Sequence, residues 1–302
     1  MTVAAAPATE PRCAWCGASA RPTRGRLATC AACATATTYP APDENELSAA
    51  YADWYRPADG RFSSAGDELL RRSRATLAGR LDTLAPPGPV LDVGCGDGAL
   101  LDAVRARGRE AVGLERTSTR PDVRAAELTA FAERPGGWAA VVFWHSLEHL
   151  REPAAAIDRA GALLAPGGVL VIAVPNLASW QARLFGERWF ALDLPRHLVH
   201  LPAPALIEGL RARGLEVERV SYWRGGQVMF GWLQGLVASL PGAPDLYDAI
   251  RRPAGRQRAI SPGRRAATLA AGVALAPLAL ALAAAEVRAG AGGTVYLEAR
   301  KR

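Results

Sequence analysis

The sequence predicts an α/β protein built on a nucleotide-binding βαβ unit, with a small metal-stapled module in front of it. Three observations carry that expectation. The apolar run Val90–Val93 breaks into Gly94-Cys95-Gly96-Asp97-Gly98, and Ala99-Leu100-Leu101 with Val104 opens a helix behind the glycines. A second apolar run, Ala111–Leu114, ends in Glu115. That acid stands about 20 residues after the glycines, where it can accept hydrogen bonds from both hydroxyls of a ribose. Ahead of both, two Cys-x2-Cys pairs are separated by 13 residues, the spacing of a metal ribbon.

Composition sets the outer bounds. The 302 residues allow one large domain or two small ones. With 50% apolar and 22% charged residues, disordered and collagen-like classes are excluded. The net charge of +7 is local. Residues 1–223 hold 25 Arg against 25 Asp and Glu, whereas residues 224–302 hold 11 Lys and Arg against 4 acids. Six arginines fall between Arg251 and Arg265 with no acid among them. A chain-wide nucleic-acid footprint is therefore not expected, and one basic segment needs its own explanation. No basic stretch follows Met1, and Glu10 comes early, so a secretory signal is not expected. A reducing cytoplasm is the expected location, and paired cysteines there bind metal more often than they form disulfides.

The first element is a ribbon over residues 1–38. Cys13, Cys16, Cys30 and Cys33 hook two thiolate pairs onto one ion, which makes structural Zn²⁺ the expected occupant. A closed four-thiolate site has no open position for catalysis. Gly17 suits the tight turn after the first hook, and Arg12, Arg21, Arg24 and Arg26 are near enough to offset the site's negative charge. Two disulfides or four free thiols are the alternative. A ribbon of this size buries too little surface to fold without metal. Residues 39–88 follow as linker and helix. Pro40, Pro42, Pro57 and Gly60 break the linker, and Tyr39, Tyr51, Trp54 and Tyr55 either pack on the neighbouring domain or cover a ligand. From Ser63 to Leu84 the leucines recur at helical spacing, until Pro86-Pro87-Gly88 stops the helix.

The glycine turn separates two cofactor classes. Dinucleotide binders use G-x-G-x-x-G and receive a pyrophosphate. Here the pattern is D-x-G-x-G-x-G, with Asp92 before the first glycine and Asp97 inside the turn. Two acids repel a pyrophosphate and suit a ligand with a positive amino group and no phosphate, such as S-adenosylmethionine. At these residues the sequence resembles the class I S-adenosylmethionine-dependent methyltransferases, near the ubiquinone-biosynthesis and polysaccharide-cluster branch. Some of those relatives share an N-terminal zinc ribbon. Val141–Leu150 resembles the family's fourth strand and its Leu-Glu-His turn. Leu163–Asn176 resembles the following helix end, turn and fifth strand, and Asp193–His200 the Pro-Arg-His segment of this branch. Leu215–Tyr222 and Thr294–Arg300 resemble the sixth and seventh strands.

The resemblance covers about residues 11–223 and the last strand. It implies a Rossmann-like, mostly parallel seven-stranded sheet with an antiparallel last strand. The cofactor domain is then 89–223, completed by the strand at 294–302, with a helical insertion at 224–293. Asp92, Gly94, Cys95, Gly96 and Gly98 would cradle the methionine part of the cofactor, and Glu115 the ribose. Glu127 and Leu128 would lie beside adenine, and Trp144 near the transferable methyl. One departure stands out: only Arg116–Asp122 separate Glu115 from the next strand, where the family has a longer helix.

Methyl transfer is an in-line displacement that gains most from proximity and orientation. An oxygen or carbon acceptor also needs a base poised near neutral pH, which favours histidine. The chain has four: His145, His149, His197 and His200. His145 is nearest the expected methyl and is the first candidate for base or acceptor positioner. His197 follows Arg196, which could steer an anionic acceptor. His149, in the Leu-Glu-His turn, is a further candidate or a structural hydrogen-bonder. Glu148 could be a metal ligand or base in some relatives and is expected here to orient its neighbours; Trp180, Trp189 and Phe190 are expected to wall the acceptor pocket or fill the core.

Ala266–Ala285 carries no charge over 20 residues, about 30 Å of helix. Eleven of them are Ala, and Pro277 interrupts. A single crossing would also put the last two strands on opposite sides of a membrane. The insertion is therefore expected to pack as helices over the domain or an apolar acceptor, or to lie in a membrane interface with its arginines on anionic headgroups. The expected activity is methyl transfer to oxygen or carbon of a small molecule: a sugar, a lipid-linked glycan precursor or a quinone-like ring. A nucleic-acid or protein methyltransferase and an inactive cofactor-binding scaffold are the alternatives. Base N-methylation usually has Asn/Asp-Pro-Pro-Tyr/Phe after the fourth strand, where this chain has Trp144-His145-Ser146-Leu147.

Overall fold

The computed structural model describes residues 10–52, 62, 64–118, 120–133, 135–223 and 226–302. Trp54, Tyr55, Pro57 and Gly60 of the linker, Ser63 and Arg224 lie outside these residues. The ribbon contributes β1 (Ala20–Thr23), β2 (Leu27–Cys30) and β3 (Ala36–Thr38). Two helices follow, α1 (Glu44–Ala50) and α2 (Ser64–Leu84). The cofactor-type unit runs β4 (Val90–Val93), α3 (Ala99–Arg105), β5 (Ala111–Glu115), β6 (Val123–Ala125) and β7 (Trp138–Trp144). It continues with α4 (Pro153–Leu163), β8 (Leu164–Pro175), α5 (Trp180–Phe185), β9 (Val199–His200), α6 (Ala203–Ala212) and β10 (Leu215–Ser221). The insertion holds α7 (Gly226–Ala238), α8 (Leu246–Ile250) and α9 (Pro262–Arg288), and β11 (Thr294–Lys301) closes the chain.

The main sheet has seven strands in the order β10-β11-β8-β7-β4-β5-β6. The pairs among β4, β5, β6, β7 and β8 are parallel, and β11 runs antiparallel to both its neighbours. Every residue of β4 and β7 is buried, because helices cover both faces of a parallel sheet. α2 and α3 pack on one face through Leu77, Leu81, Leu100 and Leu101, and α4 and α6 on the other through Ile157, Leu163, Leu206 and Leu210. Among its described residues, the short Arg116–Asp122 link holds no helix. Arg120 fills its place, bridging Asp102 and Asp122 and donating to the Asp97 carbonyl at 3.1 Å.

The ribbon is not a freestanding module. Its three strands gain a fourth, β9, from the body of the protein. β3 pairs antiparallel with β9, Ala36 opposite His200 and Thr37 opposite Val199. Cys13, Trp15 and Cys30 belong to the same apolar core as the sheet. The Trp15 indole N–H donates to the Ala205 carbonyl at 2.9 Å. A Cβ on Gly209 would come within 2.3 Å of that ring, so α6 needs glycine there. Arg26, expected near the thiolates, instead pairs with Glu46.

The insertion has its own core of Phe185, Trp189, Val228, Trp232, Val237, Leu246, Ala279 and Ala283. At its centre Glu286 is fully buried. Its carboxylate accepts from the Gln181 backbone N–H (3.0 Å), the Gln181 side-chain amide (2.9 Å) and the Trp232 indole N–H (2.9 Å). One carboxylate thus pins α9 to α5 and α7. Among the described residues, α9 is the one helix long and apolar enough to cross a membrane. Yet β10 and β11 on either side of the insertion pair from Leu215–Lys301 to Ser221–Tyr296, so a lone crossing between them is geometrically closed. Replacing Glu286 by Ala strands three buried donors; chemical denaturation is expected to show a loss of about 3–5 kcal/mol. Glu286→Gln, which keeps an acceptor, should lose less than half of that.

Candidate active site

The glycine turn between β4 and α3 forms the floor of a cleft at the carboxyl ends of the parallel strands. Gly94, Gly96 and Gly98 all have positive φ, at 76°, 62° and 79°, a backbone open to glycine at little cost. A Cβ on Gly94 would fall 2.4 Å from the Ser146 side chain, and one on Gly98 2.7 Å from the Arg120 guanidinium. Cys95 is buried beneath the turn, and Gly113 leaves room for its sulfur. The Glu115 carboxylate, at the end of β5, accepts from the Gly96 N–H at 2.8 Å. Asp92 is 3% exposed, and its Oδ1 is buried with no hydrogen-bond partner among the described residues. Burial pushes the Asp92 carboxyl up to about 7; Arg74 opposes this, and Glu115 and Asp97 add to it. An acid left unsatisfied at the floor of a glycine cradle fits a cationic ligand. Glu127 is exposed at the cleft edge, with Leu128 buried beside it.

β7 delivers Trp144 and His145 to the same cleft. The Arg74 guanidinium lies over the Trp144 ring, 4.9 Å from its centroid. His145 adopts a left-handed backbone at φ 53°, uncommon outside glycine and a mark of an over-determined site. Its Nδ1 is 3.4 Å from Glu148 Oε1, and its Nε2 is 3.2 Å from the side-chain oxygen of Gln227 on α7. Glu148 is 2% exposed, and neither carboxylate oxygen has a hydrogen bond among the described residues. Burial would raise its carboxyl, but His145, His149 and His197 hold it down to about 2. Burial and the neighbouring His197 lower the His149 ring to about 4.

The Pro-Arg-His segment closes the far side. His197 Nδ1 lies 2.8 Å from the Ala191 carbonyl, which accepts only, so Nδ1 carries a proton. Its Nε2 is 3.6 Å from Asp193 and 3.9 Å from Glu148. His149 Nδ1 reaches the Arg196 carbonyl at 2.9 Å and the Tyr51 hydroxyl at 2.8 Å. One donor atom each from Glu148, His149 and His197 falls within 4.8 Å of the others, close enough to hold a cation. Arg196, read as a steering charge for an anionic acceptor, is a strut: it forks onto Asp193 and donates to the Ala50 carbonyl.

Gly94, Cys95, Gly96, Glu115, Glu127, Leu128, Trp144 and the three candidate histidines line one cleft, together with Phe190, Phe230, Tyr247 and Arg252, while Asp92 and Gly98 belong to the turn beneath without lining it. Its volume of ≈ 2890 Å³ exceeds a drug-sized site, leaving room for cofactor and acceptor together. Phe190, Phe230 and Tyr247 form an aromatic wall with ring centroids 5.1–6.1 Å apart. Phe190 joins that wall, Trp189 is buried in the insertion core, and Trp180 is partly exposed outside the cleft. Gln227, Phe230, Tyr247 and Arg74 carry no sequence signal, since each is one residue of an ordinary helix. Far from the cleft, Cys13 and Cys33 sulfurs are 3.6 Å apart, Cys16 and Cys30 3.5 Å, and all four lie within 4.8 Å. Tetrahedral zinc–thiolate geometry needs sulfurs about 3.8 Å apart, so the set fits that ion.

The fold and cleft define a class I S-adenosylmethionine-dependent methyltransferase. Residues 62–220, more than half of the chain, match the methyltransferase domain family, and the chain belongs to it. It is 30% identical over 168 residues to a ubiquinone biosynthesis O-methyltransferase of Xanthomonas campestris pv. campestris (strain B100), covering 47% of this chain and 70% of that one. A relative of the same description from Xylella fastidiosa (strain 9a5c) is 29% identical over 171 residues, covering 48% and 70%. Among solved structures, a complex of the Haloferax volcanii Trm112 methyltransferase activator with a methyltransferase matches in fold, with TM-score 0.50 and 14% identity over 86% of this chain and 98% of that one.

A cation bound over Asp92 favours its ionised form. Calorimetry is expected to show S-adenosylmethionine affinity rising up to about tenfold between about pH 6 and pH 8, with Asp92→Asn flattening the profile.

Proposed function

We propose that this methyltransferase acts on oxygen or carbon of a flat, apolar small molecule of quinone-like class, with His145 as the base. The pairing of His145 with Glu148 at the cleft floor is the observation that carries this reading. Glu148 stays ionised and faces Nδ1, while Nε2 meets the Gln227 oxygen. When an acceptor hydroxyl displaces that oxygen, the ring holds its proton on Nδ1 against Glu148 and turns the Nε2 lone pair to the hydroxyl. S-adenosylmethionine held over the glycine cradle would supply the methyl group and depart as S-adenosylhomocysteine, and His145 would take the proton that the acceptor O–H gives up. The aromatic wall of Phe190, Phe230 and Tyr247 supports a ring over a sugar, which offers hydroxyls where this wall offers few partners. The relatives described as ubiquinone biosynthesis O-methyltransferases point the same way. Structural zinc occupies the four cysteines, remote from the chemistry.

Comparing metabolites and lipids of wild-type and deletion strains, for pairs differing by one methylene, identifies the acceptor. With that acceptor, His145→Ala should lower turnover by about 100-fold or more while cofactor affinity holds within about twofold. Unchanged turnover would remove His145 from the reaction.

Contact with an anionic membrane surface is the second part of the reading. The outward side of α9 is apolar throughout, with Val273, Leu278 and Leu280 at 77%, 48% and 50% exposure. Arg264 and Arg288 are exposed at its ends. Of the insertion's acids, Asp248 and Glu286 are buried and Asp245 caps α8. Pairing with a second copy would set Arg against Arg in either orientation, whereas anionic headgroups complement both ends. This reading puts the enzyme in the cytoplasm at the inner membrane face. The chain should float with phosphatidylglycerol vesicles and not with phosphatidylcholine alone, and Val273→Glu with Leu278→Glu should abolish flotation. Flotation unaffected by the pair of substitutions would dispose of the idea.

A further inference from the structure

The ribbon shares its sheet with β9, at the end of the Pro-Arg-His segment, and Thr38 carries that connection to His197. Thr38 is the last residue of β3 and is 2% exposed. Its backbone N–H donates to the Leu198 carbonyl at 2.9 Å, and its hydroxyl donates to the His197 carbonyl at 2.7 Å. The same hydroxyl oxygen is 3.5 Å from His200 Nε2. On the other side, the Leu198 N–H donates to the Glu148 carbonyl at 2.8 Å. The peptide carrying His197 is therefore clamped between the ribbon and the Glu148 turn.

The clamp leads straight back to the cysteines. The Cys30 N–H donates to the Thr35 carbonyl at 2.9 Å, and the Cys33 sulfur is 3.3 Å from the Thr35 hydroxyl. Thr35 is fully buried at the head of β3. The other knuckle is anchored independently, by Trp15 on the Ala205 carbonyl and Gly209 of α6. Whatever holds the four sulfurs together thus also holds β3, and β3 holds His197. A module that served stability alone would need the Trp15 anchor but no bond to the peptide of a cleft histidine.

We propose that Thr38 is a positioning residue: through it the ribbon fixes the backbone of His197, and with it the ring that faces Glu148 and Asp193 across the acceptor side of the cleft. The inference rests on the reading of His197 as an acceptor-side group. It assigns the ribbon a part in acceptor geometry, beyond the closed structural site that its cysteines define.

The test exploits the low histidine count, since the four rings of the full chain give four resolvable sets of signals after ¹³C and ¹⁵N histidine labelling. Thr38→Val removes the hydroxyl and keeps the branched shape; Thr38→Ser keeps the hydroxyl. In the zinc-loaded protein with S-adenosylhomocysteine bound, Thr38→Val should shift the His197 ring signals, leave those of His145 in place, and retain one equivalent of zinc and the cofactor affinity. Thr38→Ser should restore the His197 signals. Methyl transfer to the identified acceptor should fall about fivefold in Thr38→Val, as expected for one lost neutral hydrogen bond. Removing zinc from the wild type with a chelator reads the same coupling without a substitution, and should move His197 and His200 ahead of His145. His197 signals unmoved by Thr38→Val or by chelation would overturn the proposal. So would all four histidines moving together with loss of cofactor binding, because the ribbon would then act on the fold as a whole. Full turnover by His197→Ala, beside a shifted His197 signal in Thr38→Val, would remove only the acceptor-side reading.

Discussion

The buried carboxylate of Glu148 is the constraint around which the cleft is arranged. A charge with 2% exposure is costly unless its surroundings compensate it. Three imidazoles delivered by different stretches of chain stand around it and hold its carboxyl low: His145 from the end of β7, His149 from the following turn, and His197 from the Pro-Arg-His segment. Each of those stretches is tied to a further part of the molecule. His145 reaches Gln227 of the insertion. His149 meets Tyr51 beyond α1. His197 is held by Thr38 of the ribbon. Ribbon, linker helix and insertion therefore converge on one side chain.

Charge is divided to match. The cofactor side presents acids, Asp92 and Glu115, to a ligand that carries positive charge and no phosphate. Most of the basic excess, 8 Arg against 3 acids, lies in the insertion, where much of it is internal: Arg251 is buried, Arg252 lies near Asp67, and Arg265 donates to the Ala249 carbonyl. What first reads as an arginine-rich patch is in good part the internal bracing of a helical subdomain. Among the described residues of the insertion, the exposed arginines are Arg258, in the stretch before α9, and Arg264 and Arg288 at its ends.

The insertion also changes what kind of pocket the fold can offer. An ordinary sheet edge would leave the acceptor side open to water. Here α7 and α8 supply Phe230 and Tyr247 to meet Phe190, and Glu286 keeps α9 seated behind them with three hydrogen bonds. An apolar wall lowers the local dielectric and so strengthens the electrostatic contacts beside it. The same subdomain presents its other face outward as an apolar helix. Aromatic wall and exposed stripe are thus two sides of one small core.

Local pattern was sufficient for the parts of this protein set by short-range rules. The spacing of Cys13, Cys16, Cys30 and Cys33 marked the ribbon, because two adjacent hooks suffice to bind one ion. Asp92 with Gly94, Gly96 and Gly98 marked the cradle, because only glycine takes its positive φ values cheaply. The short Arg116–Asp122 link was legible as an absence of helix, but not that Arg120 would bridge Asp102 and Asp122 in its place. Arg196 read as a free charge, and its pairing with Asp193 appears only when the loop is folded. That β9 completes the ribbon's sheet, that Thr38 holds His197, that Gln227 meets His145 and that Glu286 is buried under Trp232 were decided by tertiary structure alone. Those contacts join residues tens to more than 150 positions apart, and no local propensity encodes which distant strand or helix will bury a given side chain.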